Sequence, residues 1–487
     1  MLILAFLINV SILIGVSAVR SVGREEIVFP SVETSRSGEK RLDFRALNQD
    51  VKLKLEAAGD VFGEGFFVKF AHDGKSEIPE LNIEDIKRSL YKDKRTGASL
   101  HIADKEPLLI KGIINDNLRI EPIQSEDARR DGAIPHRVYE VISNDESYIN
   151  DAVLPTDYHP VLDESLEELK PGETIFVEIG IVTDVAFTDS FQFPDSEIIQ
   201  YMLIFINGVQ CHFDNMKTIR VRLSLRYIQM NYYKREQPYI ENNINNNLLM
   251  SDGALNSFRE HMVSNSNIST DITILMSKLK MEDRKGRKDV LGKAYVAGAC
   301  SQTSKFGIVS DQAYYEGVRT FAHETGHLLG CSHDYIESNV SSRRPYGFKF
   351  CLWDDGYIMS YKYNIINRNY FSVCCEWNIT ALANQNSCLR EINLRSYYIN
   401  SNEKPGENLE TMLNLSAFKF ENDKFKYYTY RCYKIDHLEP FNYPNGTCEF
   451  SCRTAHNQNE TIYFSGYPCL DGEMCDVGKR CHNGVCQ

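Results

Sequence analysis

The chain has 487 residues, 43% of them hydrophobic and 25% charged, an ordinary globular balance and enough length for about three domains. Its net charge of −13 argues against nucleic acid as a partner and leaves no polybasic patch for a membrane surface. Its 14 cysteines agree with an oxidising compartment.

The first 18 residues read as a secretion signal. Residues 2–16 are almost wholly apolar, and Val16-Ser17-Ala18 is a small-residue cleavage site. No lysine or arginine precedes the run. The rival reading is an uncleaved anchor, but the run is short for a bilayer span. No later stretch is long and apolar enough to cross, so a secreted chain with no membrane span is expected.

Residues 19–165 contain no cysteine. Strand-like runs stand at 66–70 and 108–114, with shorter ones at 118–123 and 136–139. The dibasic Arg129-Arg130 lies between the last two. Residues 145–170 are acidic and polar, as suits an exposed, cleavable linker. At Glu173 the character changes. Residues 174–182 fit a largely buried strand. Pro194-Asp195-Ser196 opens a helix to about residue 209, with Ile198, Met202, Phe205, Ile206 and Val209 at helical spacing. Residues 219–227 alternate apolar and polar, which predicts a half-buried strand. A helix over 252–263, a strand over 271–276 and an edge strand over 292–298 follow. Strands alternating with helices give an α/β layer, completed by a helix over 313–329.

That last helix carries the chemistry. His323 and His327 lie four apart, so on a helix both imidazoles leave one face and can share a metal ion. Glu324 sits beside the first. Gly330 falls where the helix should stop, since glycine tolerates the left-handed turn that ends helices. The chain can then bend back and bring His333 to the same ion. Three imidazoles with one open position describe a catalytic zinc site rather than a closed structural one. The bland alternative, an exposed helix with unrelated histidines, weakens as the fixed offsets accumulate.

With Tyr357-Ile358-Met359-Ser360 following, the string resembles the zinc motif and Met-turn of metzincin proteases. Asp334 directs the resemblance to the adamalysin or reprolysin branch, and the chain looks most like the secreted reprolysin-like metalloproteases of tick saliva. The resemblance implies an α/β metzincin catalytic domain over 172–391, a mixed twisted sheet with helices and zinc in its cleft. A signal peptide (1–18) and a β-rich prodomain (19–165) precede it, and a disulfide-rich module (392–487) follows. It implies a zinc endopeptidase acting on extracellular proteins, matrix or clotting proteins such as fibrinogen. Glu324 would be the general base, His323, His327 and His333 the zinc ligands, and Asp334 a packing partner behind them. The other class considered is a binding or adhesion-blocking protein acting through the cysteine-rich module. The intact Glu324 discriminates, since a dead protease usually loses its base or a ligand.

The resemblance also implies a calcium site at Glu178 and Glu391 and a Cys300–Cys388 disulfide. Seven cysteines lie between Cys211 and Cys388 and seven between Cys432 and Cys486, so either one bridge joins the regions or each keeps a free thiol. Sequons at Asn267, Asn339, Asn378, Asn414, Asn445 and Asn459 are glycosylation candidates. Tyr361 has two readings: an oxyanion-stabilising phenol, as in astacins and serralysins, or a wall of the specificity pocket. No cysteine lies between 19 and 210, so latency cannot use a prodomain thiol. Steric cover, a non-thiol ligand or a folding role remain.

Overall fold

The computed structural model describes residues 22–70, 76–77, 83–103, 107–123, 133–141, 151–153, 166–191, 194–266, 269–288, 290–334, 351–360, 362 and 366–391. Beyond these it describes six short strands between 438 and 486. The chain divides into two compact units between Ser396 and Tyr397. In the second unit, Leu438–Asn442, Glu449–Thr454 and Tyr463–Pro468 form one antiparallel sheet. Met474–Asp476, Lys479–His482 and Val485–Cys486 form another.

The first unit holds two large sheets. The N-terminal one has nine strands, all antiparallel, from Val22–Val28 at one edge to Val32–Thr34 at the other. Alternation of the kind seen in Gln49–Ala57 puts Val51, Leu53 and Leu55 inward and their lysine and glutamate neighbours outward. Leu42, Leu100, Ile110 and Leu118 join them in one core.

The second sheet has eight strands. Its centre is Thr174–Thr183, buried over nearly its whole length, between Arg220–Met230 and Ile272–Ser277. Phe306–Ser310 and then antiparallel Gly292–Tyr295 continue it on one side. The N-terminal region completes both ends of this sheet. Phe62–Phe70 pairs in parallel with Arg220–Met230, and Ala152–Val153 pairs in parallel with Gly292–Tyr295. Sequence boundaries separated these regions; backbone groups at an open sheet edge join them, because an unpaired ladder is satisfied by any strand that reaches it.

That joining changes two expectations. The strand predicted as half-buried alternates only at its start, where Arg220 and Arg222 face water. From Leu223 it is buried on both faces, Ser224 and Arg226 included, with a strand on each side. The helix Pro194–Phe213 buries Ile199, Leu203 and Ile204 as well as the stripe read from spacing. The N-terminal sheet covers its other side: Ser99 Oγ donates to the Ile204 carbonyl at 2.7 Å, and Asn207 donates to Ser99 Oγ at 3.0 Å. A helix apolar all round is a sandwiched helix.

The predicted 313–329 helix begins later, at Val318, and ends at Leu328. Ala313 and Tyr315 have φ of 68° and 60°, which no helix start can contain. Asp311 fixes this loop by accepting from the Ala313 and Gly317 N–H groups at 2.7 and 2.9 Å. Arg119 of the N-terminal sheet donates to the carbonyls of Tyr314 and Tyr315 at 2.9 and 3.1 Å. Gly330, with φ of 99°, ends the helix as its position predicted.

Candidate metal centre

The helix Val318–Leu328 packs against Gly292–Tyr295 and Phe306–Ser310, so its C-terminal half is buried. His323 and His327 leave it on one face, and their Nε2 atoms lie 3.0 Å apart. The chain turns at Gly330, and His333 Nε2 comes within 3.2 Å of His327 Nε2. His323 Nδ1 faces the Ile358 carbonyl at 2.7 Å, and His327 Nδ1 faces the Cys331 carbonyl at 2.8 Å. A carbonyl only accepts, so Nδ1 carries the proton in both rings and both Nε2 atoms present lone pairs. Burial pushes His323 down to about 4, which keeps it neutral. Lone pairs aimed at one another across 3 Å repel unless a cation lies between them. The donor set therefore fits a zinc ion.

The turn under the site is held by the same helix. Arg319 donates to the carbonyls of Arg368 and Ser360, both at 3.1 Å. Met359 is fully buried, and its Sδ lies 2.9 Å from where a Cβ on Gly326 would stand. Only glycine at 326 lets the methionine and Phe371 approach this closely. Asp334 accepts from Ser372 Oγ at 2.7 Å and donates its backbone N–H to the Met359 carbonyl at 3.1 Å. It thus ties the third histidine's loop to the turn. Arg319 and Ser372 carry no sequence signal for this work.

Glu324 is buried beside the edge strand, and its Oε2 has no hydrogen-bond partner among the described residues. Burial, and then the charge of Asp151, push its carboxyl well above the usual range, while Lys293 opposes them.

Asp151 is the residue that sequence reasoning missed. Its carboxylate reaches all three rings: Oδ2 is 3.0 Å from His323 Nε2, and Oδ1 is 2.9 Å from His333 Nε2 and 3.5 Å from His327 Nε2. These four side chains form one metal-sized cluster. Asp151 stands in the stretch read as an exposed linker, yet only 2% of it is exposed. Strand pairing at residues 152–153 draws it in.

The other predicted residues are spread out. Glu178 is buried, with Arg226 Nε 3.4 Å from its carboxylate, and Glu391 is exposed. No metal-sized cluster among the described residues contains either. Asp271, also missed, accepts from the Glu178 N–H at 2.8 Å; burial first, then the Glu178 charge, pushes it up to about 8. Cys300 is joined to Cys388, Cys331 to Cys375 and Cys351 to Cys374. Cys211 is a buried free thiol among the described residues. Asn378 is half-buried within the helix Val373–Gln385 rather than on a loop. Tyr361, Asn267, Asn339, Asn414, Asn445 and Asn459 lie outside the described residues, as does the predicted signal peptide.

A venom metalloproteinase of the scorpion Tityus serrulatus, antarease TserMP_A, is 35% identical over 76% of this chain and 94% of its own length. The family model for metallopeptidase family M12 matches residues 174–372. The chain belongs to metallopeptidase family M12. Venom metalloproteinase BumaMPs1 of Olivierus martensii is likewise 35% identical, over 76% of this chain and 93% of its own length. The antarease-like TtrivMP_A of Tityus trivittatus is 34% identical over 76% and 94%. These relatives support the reprolysin-like branch and come from scorpions rather than ticks. As a member of M12 the chain is a zinc metalloendopeptidase. No helix among the described residues is long and apolar enough to cross a membrane.

Proposed function

We propose that the chain is a secreted endopeptidase for extracellular proteins, with zinc held by His323, His327 and His333 and Glu324 as the general base. The convergence of three imidazoles, two with their Nδ1 protons committed to carbonyls, carries the reading. Zinc, when bound, supplies a Lewis acid that polarises the peptide carbonyl and acidifies water. Glu324, one residue from a ligand and otherwise unpartnered at Oε2, takes the water's proton and delivers it to the leaving nitrogen. The edge strand Gly292–Tyr295 offers its outer backbone groups to an extended peptide, fixing the scissile bond over the metal.

Matrix and clotting proteins such as fibrinogen are the substrate class of this reading. Peptide-library cleavage by the mature enzyme, with and without a zinc chelator, tests the proposal. Cleavage that survives complete removal of zinc would refute it.

A further inference from the structure

We propose that Asp151 is the built-in inhibitor of this protease: its carboxylate occupies the coordination position that catalysis needs, held there by the Ala152–Val153 strand. The proposal rests on the zinc site proposed above.

The geometry is specific to one residue. Among the described residues, Asp151 is the carboxylate that comes within 3.5 Å of all three Nε2 atoms. Its backbone is fastened as well as its side chain. The Ala294 N–H donates to the Asp151 carbonyl at 3.0 Å, and the Val296 N–H donates to the Val153 carbonyl at 2.8 Å. These are the outer groups of the edge strand, so one segment covers both the metal position and the peptide-binding edge. A substrate can neither add to the edge nor bring its carbonyl to the metal while the segment is in place.

The device explains how a region without cysteine confers latency. A buried carboxylate is a good oxygen ligand for zinc and needs no thiol. A two-residue strand and one ligand would bind weakly as a free peptide. Tethered within the chain, the segment acts at high effective concentration, because the N-terminal region is anchored on the same unit through Arg119 and the Phe62–Phe70 strand. Cutting the chain near Asp151 removes the tether, and the segment is then lost by dilution. The affinity gained by tethering is what cleavage releases.

The test uses the full-length chain in a Glu324→Ala background, so that no autolysis intervenes and the readout is ligand binding rather than activity. Cobalt(II) is loaded in place of zinc, and acetohydroxamate is titrated while the visible spectrum of the metal is followed. With Asp151 present, the spectrum should resist acetohydroxamate. With Asp151→Ala added, the free position should bind it about a hundred-fold or more tightly. Asp151→Asn preserves shape and loses charge; it should fall between the two and guards against misfolding of the alanine variant. Equal acetohydroxamate affinity in all three chains, each holding one cobalt, would overturn the Asp151 assignment and leave the zinc site standing. No cobalt bound in any of them would overturn both.

Discussion

Gly292 of the edge strand lies so close to Glu324 that a Cβ on the glycine would collide with the glutamate's carboxylate. The closeness places the base against the strand on which substrate would lie. Gly292→Ala must push either the carboxylate or the strand aside. We expect kcat/KM on a peptide substrate to fall about a hundred-fold, since misplacing a reacting group by roughly an ångström costs that much. Zinc content should stay at the wild-type level. Wild-type kinetics in this variant would show that Glu324 sits elsewhere in the active enzyme.

Glu324→Ala separates binding from catalysis more directly. His323 and His327 do not depend on it, because the Ile358 and Cys331 carbonyls hold their rings. The variant should retain one zinc and lose about a hundred- to ten-thousand-fold in rate. Metal analysis and kinetics on the same preparation decide it; substantial residual turnover would mean another group acts as the base.

A thiol-reactive mercurial should fail to activate the uncleaved chain. Residues 19–210 contain no cysteine. Cys211, the free thiol among the described residues, is fully buried, and its thiol is pushed up to about 12, chiefly by burial. It should label with iodoacetamide only after denaturation, as mass spectrometry of the tryptic peptide would show. Prompt activation by mercury would place a thiol at the metal and contradict the carboxylate.

Tyr361→Phe should leave kcat unchanged and alter KM or side-chain preference, as for a wall of the specificity pocket. A fall in kcat of ten- to a thousand-fold at constant KM would instead give its phenol to the oxyanion. Steady-state kinetics on two peptides differing after the scissile bond distinguish the cases.

Asp184 supplies a pH dependence away from the metal. It is fully buried at the start of a short helix, accepting from the Phe187 N–H at 2.7 Å and Ser277 Oγ at 2.6 Å. Burial raises it to about 6 despite those bonds. The folded state therefore holds the proton more tightly than the unfolded one. Its contribution is complete below about pH 4 and is lost as pH rises through about 6, amounting to about 3 kcal/mol. Stability of the wild type relative to Asp184→Asn should decline across that window and stay flat above it. Urea denaturation of both proteins at stepped pH measures this; a difference that does not change with pH would show an unperturbed carboxyl.

The sequence by itself determined whatever depends on local geometry. The His323–His327 pair was legible because a helix fixes the direction of residues four apart, whatever surrounds it. Gly330 was legible because few residues accept its φ. The buried central strand was legible from its continuous apolar run. Tertiary structure alone decided the rest. The helix starts at Val318 because Arg119, distant in sequence, holds the Tyr314 and Tyr315 carbonyls and helps the nearby Asp311 fix Ala313 and Tyr315 in left-handed turns. Arg226 is buried with its guanidinium against Glu178, a partner on another strand distant in sequence. Asp151 reaches the three histidines through a two-residue strand in an acidic stretch that has the composition of a linker. Its role depends on which sheet edge was left open, and no pattern of neighbours along the chain encodes that.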